Sequence, residues 1–243
     1  TPKHILLYQF LGWQPPVFAH VPLLRNPDKS KLSKRKNPVW ASWFRREGFL
    51  PEAIINYLAS MAWSHPEGKE LFTLEEMIEK FSLERIVTTA PVFDIEKLRW
   101  MNGEYIRKMD DSELVNRISD FTHQMYPISQ MRQTLPLTRD RMKTLAEYSS
   151  LADFFFEKPT AFDRPKSVKL VQLVQSALSD CVWSHEVMEK AIRTQAEKAE
   201  IPAKELFMEL RIAVTGKSVG PPLLESLEIM GKEVDLQSTP VHT

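Results

Sequence analysis

Cysteine is almost absent: Cys181 is the single one in 243 residues. An internal disulfide and a cysteine-based zinc site are therefore excluded, and a reducing compartment is expected. Cys181 stands beside Trp183 in an apolar helical context, which gives it a packing role rather than a nucleophile's. Net charge is absent as well, since 32 Lys and Arg balance 32 Asp and Glu. No global field draws this chain to a polyanion, so any nucleic-acid contact must come from local patches. Long apolar runs are missing: "ILLYQFLGW" at 5–13 is far short of the roughly 20 residues that span a bilayer. With no charged-then-apolar leader either, the reading is a soluble, cytoplasmic chain with no membrane partner. The six histidines (His4, His20, His65, His123, His185, His242) are scattered, without an i, i+4 pair or a carboxylate at ligand spacing, so no structural metal is expected.

What is present is apolar sequence at helical spacing. "PKHILLYQFLGW" at 2–13 reads as a short helix, and "VFAHVPLL" at 17–24 as a proline-bracketed apolar strand. From about residue 39 onward the period is that of a helix. In "PEAIINYLASMAW" Pro51 takes the permitted first-turn position, and Ile54, Ile55, Leu58, Met61 and Ala62 recur as one buried face. Start signals follow at Thr73 with Glu76, at Asp94, at Asp110 with Glu113, and at Ser150 with Asp153 ahead of "FFF". Val168, Val171, Val174 and Leu178 form one stripe, and Gly216 stops the helix "PAKELFMELRIAVTG". Such stripes are core, and Trp100, Met101 and Tyr105 share their spacing. Prolines at 127, 136, 159, 165, 202, 221 and 222 separate the helices, with joints near 110 and 164. The last dozen residues are polar and aperiodic and are expected to fray. The fold class expected is mainly α.

Two lysine-bearing segments invite a phosphate reading. "TGKSVG" at 215–220 looks like the end of a Walker loop, but the glycine that loop needs further upstream is replaced by Arg211 inside a helix. That match fails. "DKSKLSKRKNP" at 28–38 places Lys29, Lys31, Lys34, Arg35 and Lys36 within eight positions. A run so dense repels itself and stays solvated unless an anion holds it; a surface loop, a polyphosphate contact and a nuclear-localisation patch all fit the charge alone.

The order of residues goes further. "KLSKR" at 31–35 resembles the second ATP-binding signature of class I aminoacyl-tRNA synthetases, in the form found in bacterial glutamyl-tRNA synthetases. "EGFLPEAIINYLA", "FTLEEMIEKF", "PVFDIEKLRWMNGEYIR" and "LRIAVTGKSVGPPLLESLEIMGKE" resemble that family's later landmarks in the right order, over about residues 1–232. The resemblance implies the remnant of an α/β nucleotide-binding domain at 1–25. It implies a signature loop and stem-contact fold at 26–110, and two all-helical anticodon-binding subdomains at 111–164 and 165–243.

It also implies roles. Lys34 is the principal phosphate contact for ATP, used with Mg2+, and Lys31 assists. Ser33 orders the turn, backbone at Leu32 touches adenine, and Arg35 faces the nucleotide, solvent or tRNA. Ammonium groups suit this work because negative charge builds on the departing pyrophosphate in the transition state. Arg141, in "LTRDRMKTL", matches an arginine that reads the third anticodon base and restricts the enzyme to tRNA(Glu). A guanidinium's donor fork meets the acceptor edge that an unpaired pyrimidine exposes. Arg211 matches a second anticodon-loop contact, and Gly220-Pro221 a loop packed on the same bases. Glycine stands at 220 where the pattern has threonine, which puts a hydroxyl contact there in doubt. Plainer alternatives are a solvated surface arginine at 141 and a helix-dipole partner at 211. Lys97, Arg99, Asn102 and Arg107 are candidates to face the inner side of the tRNA.

The family's first signature and its glutamate pocket are not among these residues, and the chain opens Thr1-Pro2. It is therefore expected to be the C-terminal portion of a glutamate–tRNA ligase, monomeric, with tRNA(Glu), ATP and L-glutamate as the full-length partners and no aminoacylation by itself. A glutaminyl or non-discriminating relative, or a helical RNA-binding module without catalysis, are the rival readings.

Overall fold

The computed structural model describes residues 1–32, 40–163 and 167–232. Twelve α-helices run through them: α1 (Pro2–Phe10), α2 (Ala41–Arg46), α3 (Pro51–Ala62), α4 (Leu74–Lys80), α5 (Ile95–Lys108), α6 (Asp111–Phe121), α7 (Ile128–Thr138), α8 (Glu147–Ala152), α9 (Val168–Leu178), α10 (His185–Lys198), α11 (Ala203–Thr215) and α12 (Leu223–Met230). Short 3-10 turns occupy Leu83–Arg85, Arg139–Arg141 and Asp153–Phe155. No helix among the described residues is long and apolar enough to cross a membrane. Packing divides the chain into two compact units, one of Thr1–Ala41 with Pro51–Leu98, the other of Ser42–Leu50 with Arg99–Thr243.

The strand expected at 17–24 does not form. Val17 is fully exposed, and the pairings nearby are single bridges from Arg25 to Lys31 and to Val92. Pro15, Pro16 and Pro22 carry no N–H, so a hydrogen-bonded ladder through this stretch lacks its donors. The helix read at the start is present as α1, with Pro2 in its first turn and no buried residue.

In the first unit, α3 buries only part of the face its periodicity suggested, Met61 among it. Ala53, Asn56, Tyr57, Ala59 and Met61 are buried, whereas Ile55 and Leu58 are exposed. Hydrogen bonding redirects the helix. The Asn56 amide donates to Glu70 O at 3.1 Å and accepts from Phe72 N at 3.2 Å, and the Tyr57 hydroxyl accepts from Asp94 N at 2.7 Å. Polar atoms that close surrounding loops must lie inside, so the face that carries them turns inward. Beside them Ala59, Trp63 and Phe72 form an apolar cluster. Thr73 caps α4 through Glu76 N at 3.1 Å, and Asp94 caps α5 through the N–H groups of Glu96 and Lys97.

The second unit begins with an edge-on aromatic group, Trp43, Phe44 and Phe49. Its backbone is tied to a distant segment: Gly48 O accepts from Leu145 N at 2.9 Å. Gly48 has φ +75, and a β-carbon there would collide with the backbone N of Ala146, so only glycine fits. Asp110 opens α6 by accepting from Ser112 N and Glu113 N. Leu114, Val115 and Ile118 of α6 and Met131 and Leu135 of α7 are all buried, and the two helices lie against each other. Pro136 sits inside α7, and the Thr134 and Thr138 hydroxyls donate back to carbonyls one turn earlier.

The start signal placed at Ser150 is displaced. Helix α8 begins at Glu147, whose carboxylate accepts from Lys143 N at 2.6 Å, and Ser150 lies within the helix with its hydroxyl on Glu147 O. The Glu147 carboxylate closes the turn that leads into the helix, accepting also from Thr144 N. Helices α9 to α12 share a core of Val174, Leu178, Met188, Ile192, Leu206, Leu210 and Leu227. Val168, read as part of the α9 stripe, is exposed at the first turn. Cys181 packs against this core with its thiol donating to Leu178 O, and Gly216 ends α11 in the left-handed conformation.

Candidate functional site

Two places gather the residues singled out in the sequence. The first is a clasped turn. Arg25 is fixed on both sides, its N–H donating to Pro91 O at 3.0 Å and its carbonyl accepting from Phe93 N at 2.8 Å. The chain then reverses within five residues: Asn26 N donates to Ser30 O, Lys29 N to Asn26 O, and Asp28 Oδ1 accepts from Ser30 N at 2.9 Å. Lys29 takes φ +65 to complete it. Leu32 N donates to Leu24 O at 3.2 Å, so the turn is closed at its base and delivers Lys31 and Leu32 from a fixed stem. Lys31 is exposed and forms no ion pair among the described residues. Ser33, Lys34 and Arg35 lie outside the described residues.

The second place brings together Arg141, Arg211, Gly220 and Pro221, although 80 positions separate the first from the last. Arg211, half-buried on α11, donates through Nη1 to Pro221 O at 2.8 Å. A β-carbon on Gly220 would sit in ordinary contact with the same Nη1, at 3.5 Å. Burial first, then the positive charge of Arg141, hold the Arg211 guanidinium below its ordinary pKa, and Glu225 offsets part of this. Arg141 closes the 3-10 turn after α7 and is exposed. Of the two arginines in that turn, Arg139 is spent on Asp111 at 2.6 Å, while Arg141 makes no ion pair among the described residues. Two guanidinium groups held near one another, one of them unneutralised, form a local cationic patch in a chain of zero net charge.

Comparison with known proteins gives these two places a setting. The family of tRNA synthetases class I (E and Q), catalytic domain, matches residues 1–100, and the anticodon binding domain family matches residues 95–237. The second match spans more than half of the chain, which therefore belongs to the anticodon binding domain family. A glutamate–tRNA ligase of Fervidobacterium nodosum is 39% identical over 237 residues, which cover 96% of this chain and 50% of that protein. The glutamate–tRNA ligase of Thermus thermophilus is 39% identical over 249 residues, covering 96% and 52%. Among solved structures, a glutamate tRNA ligase from Elizabethkingia meningosepticum in complex with its amino acid superposes with a TM-score of 0.74 at 28% identity, covering 95% of this chain and 52% of that one. The chain spans about half the length of the curated relatives it matches.

Elsewhere in this chain, several residues considered for RNA contact have other partners. Asn102 is fully buried: its Oδ1 accepts from Leu50 N at 2.7 Å and its Nδ2 donates to Lys143 O at 2.6 Å. Lys97 pairs with Glu70 at 2.7 Å, Arg99 with Glu147 and Arg107 with Glu104. Trp100, assigned to packing by spacing, is 39% exposed, because the inward face of α5 is already filled by Leu98, Met101 and Ile106. The Walker-like segment is a clamp: the Thr215 hydroxyl donates to Arg211 O, and Lys217 Nζ donates to Ser150 O. Ser218 donates twice to Asp163, holding that carboxyl below its ordinary pKa. Among the described residues no group of three or more His, Cys, Asp or Glu could hold a metal ion. Sequence reading missed Glu225 as the counter-charge to Arg211. The two are 14 positions apart on different helices, and no local pattern links them.

Proposed function

We propose that this chain is the C-terminal, RNA-reading portion of a glutamate–tRNA ligase that activates L-glutamate with ATP and Mg2+ and transfers it to tRNA(Glu) in the cytoplasm. The observation that carries the proposal is the shared patch of Arg141 and Arg211 beside Gly220-Pro221, inside the stretch matched by the anticodon binding domain family. An arginine free of carboxylates and projecting to solvent can present its donor fork to an unpaired base. The third anticodon base is assigned to Arg141, and Arg211 with Gly220 and Pro221 supports the same loop. Residues 1–25 are assigned to the end of the nucleotide-binding domain, 26–110 to the signature loop and stem-contact fold, and 111–164 and 165–243 to the two anticodon-binding subdomains. The molecule acts as a monomer.

At the other place, Lys31 fits a phosphate-binding role, being exposed and without a competing carboxylate among the described residues. Lys34 is assigned the principal contact to the departing pyrophosphate, with Ser33 ordering the turn, Leu32 backbone at the adenine and Arg35 at its rim. Attack of the glutamate carboxylate on the α-phosphorus makes a mixed anhydride and releases pyrophosphate. Ammonium groups fixed where that charge accumulates stabilise the transition state more than the ground state, and so raise the rate.

Filter binding with tRNA(Glu) and tRNA(Gln) tests the RNA half. The wild-type chain is expected to prefer tRNA(Glu), with affinity falling steeply as salt rises. Arg141→Gln is expected to gain tRNA(Gln) affinity, closing a gap of roughly tenfold or more, since one bidentate base contact is worth about 1–3 kcal/mol of discrimination. An unchanged ratio would remove Arg141 from the reading.

A further inference from the structure

We propose that a groove in the first unit, at the end of α3, binds a phosphodiester of the RNA backbone through Arg85, Thr88 and Thr89. The groove measures about 650 Å3. It exists because the chain after α3 pairs with a distant segment. Trp63 bridges Ile86, Ser64 N donates to Arg85 O at 3.1 Å, and Val87 N donates to Ala62 O at 2.9 Å. This leaves residues 85–89 as one wall and Ser64 as part of the other.

The lining sorts into spent and unspent donors. The Ser64 hydroxyl is directed to Arg85 O, and the Ser82 hydroxyl to the Glu84 carboxylate. Glu84 also accepts from its own N–H, and these bonds hold its carboxyl below the ordinary range while drawing it onto the 3-10 turn. The Arg85 guanidinium and the hydroxyls and backbone N–H groups of Thr88 and Thr89 have no partner among the described residues, and all three side chains are exposed. The unspent groups can therefore all donate, and Arg85 supplies the positive charge, while the Glu84 carboxylate of the same lining is occupied by Ser82 and its own N–H. A metal cation finds a guanidinium in its way. A base finds no aromatic ring to stack on, since none lines the groove. An oxygen-rich monoanion matches both the donors and the charge, and a phosphodiester is that anion. Contacts of this kind position an RNA without reading its sequence.

The inference rests on the RNA-binding reading above, and the test separates the two. Affinity of the 243-residue chain for tRNA(Glu) is measured across a salt series for wild type, Arg85→Ala, Arg85→Lys, Glu84→Gln and the pair Thr88→Val with Thr89→Val. Circular dichroism checks that each variant folds. Arg85→Ala is expected to lose affinity several-fold and to lower the slope of log K against log salt by about 0.7–0.9, the contribution of one phosphate contact. Arg85→Lys is expected to keep the slope, the valine pair to weaken binding at constant slope, and Glu84→Gln to tighten it. A folded Arg85→Ala protein with wild-type slope overturns this inference and leaves the proposed function standing. A wild-type chain with no tRNA affinity overturns both. In a parallel phosphorus NMR titration, saturable micromolar binding of inorganic phosphate that Arg85→Ala abolishes, together with an unaltered tRNA slope, would assign the groove to free phosphate and reject the diester.

Discussion

Asn102 shows where residue-level reading from sequence stops. In "EKLRWMNGEYIRK" nothing separates a polar side chain that faces RNA from one that closes a core. Here two loops lend the asparagine their backbone groups from positions 50 and 143, and those partners are visible only once the chain has folded. The charge of the basic turn and of Arg141 and Arg211 is visible in the sequence, and the roles proposed for them rest on the order of residues around them. Replacing Asn102 by Ala strands a buried N–H and a buried carbonyl, and is expected to destabilise the protein by about 2–3 kcal/mol in urea unfolding. A surface role would leave the midpoint unmoved. The tyrosines make a second test. Burial pushes the Tyr126 and Tyr148 hydroxyls up to about 12, above the ordinary value near 10 that they regain on unfolding. Between those values the unfolded chain loses protons that the folded one keeps, so stability is full below pH 10 and declines as pH rises toward 12, by up to about 1.4 kcal/mol per pH unit for each tyrosine. Tyr148→Phe, which loses a 2.8 Å hydrogen bond to Thr134, is expected to start about 1 kcal/mol less stable at pH 8 and to decline less steeply. Urea midpoints from pH 8 to 12 would show it.

At the level of elements, the starts and stops were read most reliably where the capping group is local. Asp110 lies next to the N–H groups it receives, Gly216 supplies its own backbone freedom, and Thr73 holds Glu76 N. Reading failed where the deciding partner was distant. The α3 face was turned by Glu70, Phe72 and Asp94, which lie 14 to 37 positions from the side chains they meet. Helix α10 illustrates the same rule with a different outcome. Ser184 occupies its N-cap without a side-chain hydrogen bond, and the His185 N–H is instead accepted by the Glu228 carboxylate from α12. Asp110→Ala should therefore cost about 1 kcal/mol, the usual value of a lost cap, whereas Ser184→Ala should cost nearly nothing. Glu228→Gln should weaken α10 although it lies 43 positions from His185. Amide exchange in the first turns of α6 and α10 resolves the three effects separately. Equal losses for Asp110→Ala and Ser184→Ala would show that capping is not divided this way.

For the whole molecule, zero net charge has a consequence that the two functional places share. With 32 cationic and 32 anionic side chains, several cations among the described residues are held in pairs such as Lys97–Glu70, Arg99–Glu147 and Arg139–Asp111. Lys31 and Arg141 are exposed and make no ion pair among the described residues. They belong to different compact units and, in the proposed enzyme, to different steps. The lysine loop acts on charge developing at the phosphates, and Arg141 acts on the choice of RNA. Steady-state kinetics of a full-length ligase carrying these residues can tell the steps apart. Lys34→Ala is expected to lower the maximal rate of ATP–pyrophosphate exchange, measured with saturating tRNA(Glu), by about 100- to 1,000-fold, the usual loss for one group stabilising transition-state charge. The KM for tRNA should stay close to wild type. Arg141→Gln is expected to do the reverse, raising the KM for tRNA(Glu) roughly tenfold or more with maximal exchange retained, because the base contact is equally present before and during the chemical step. If both variants raised KM alone, the basic loop would be an RNA contact. In that case the charge concentrated at residues 29–36 would serve the tRNA backbone and not the departing pyrophosphate.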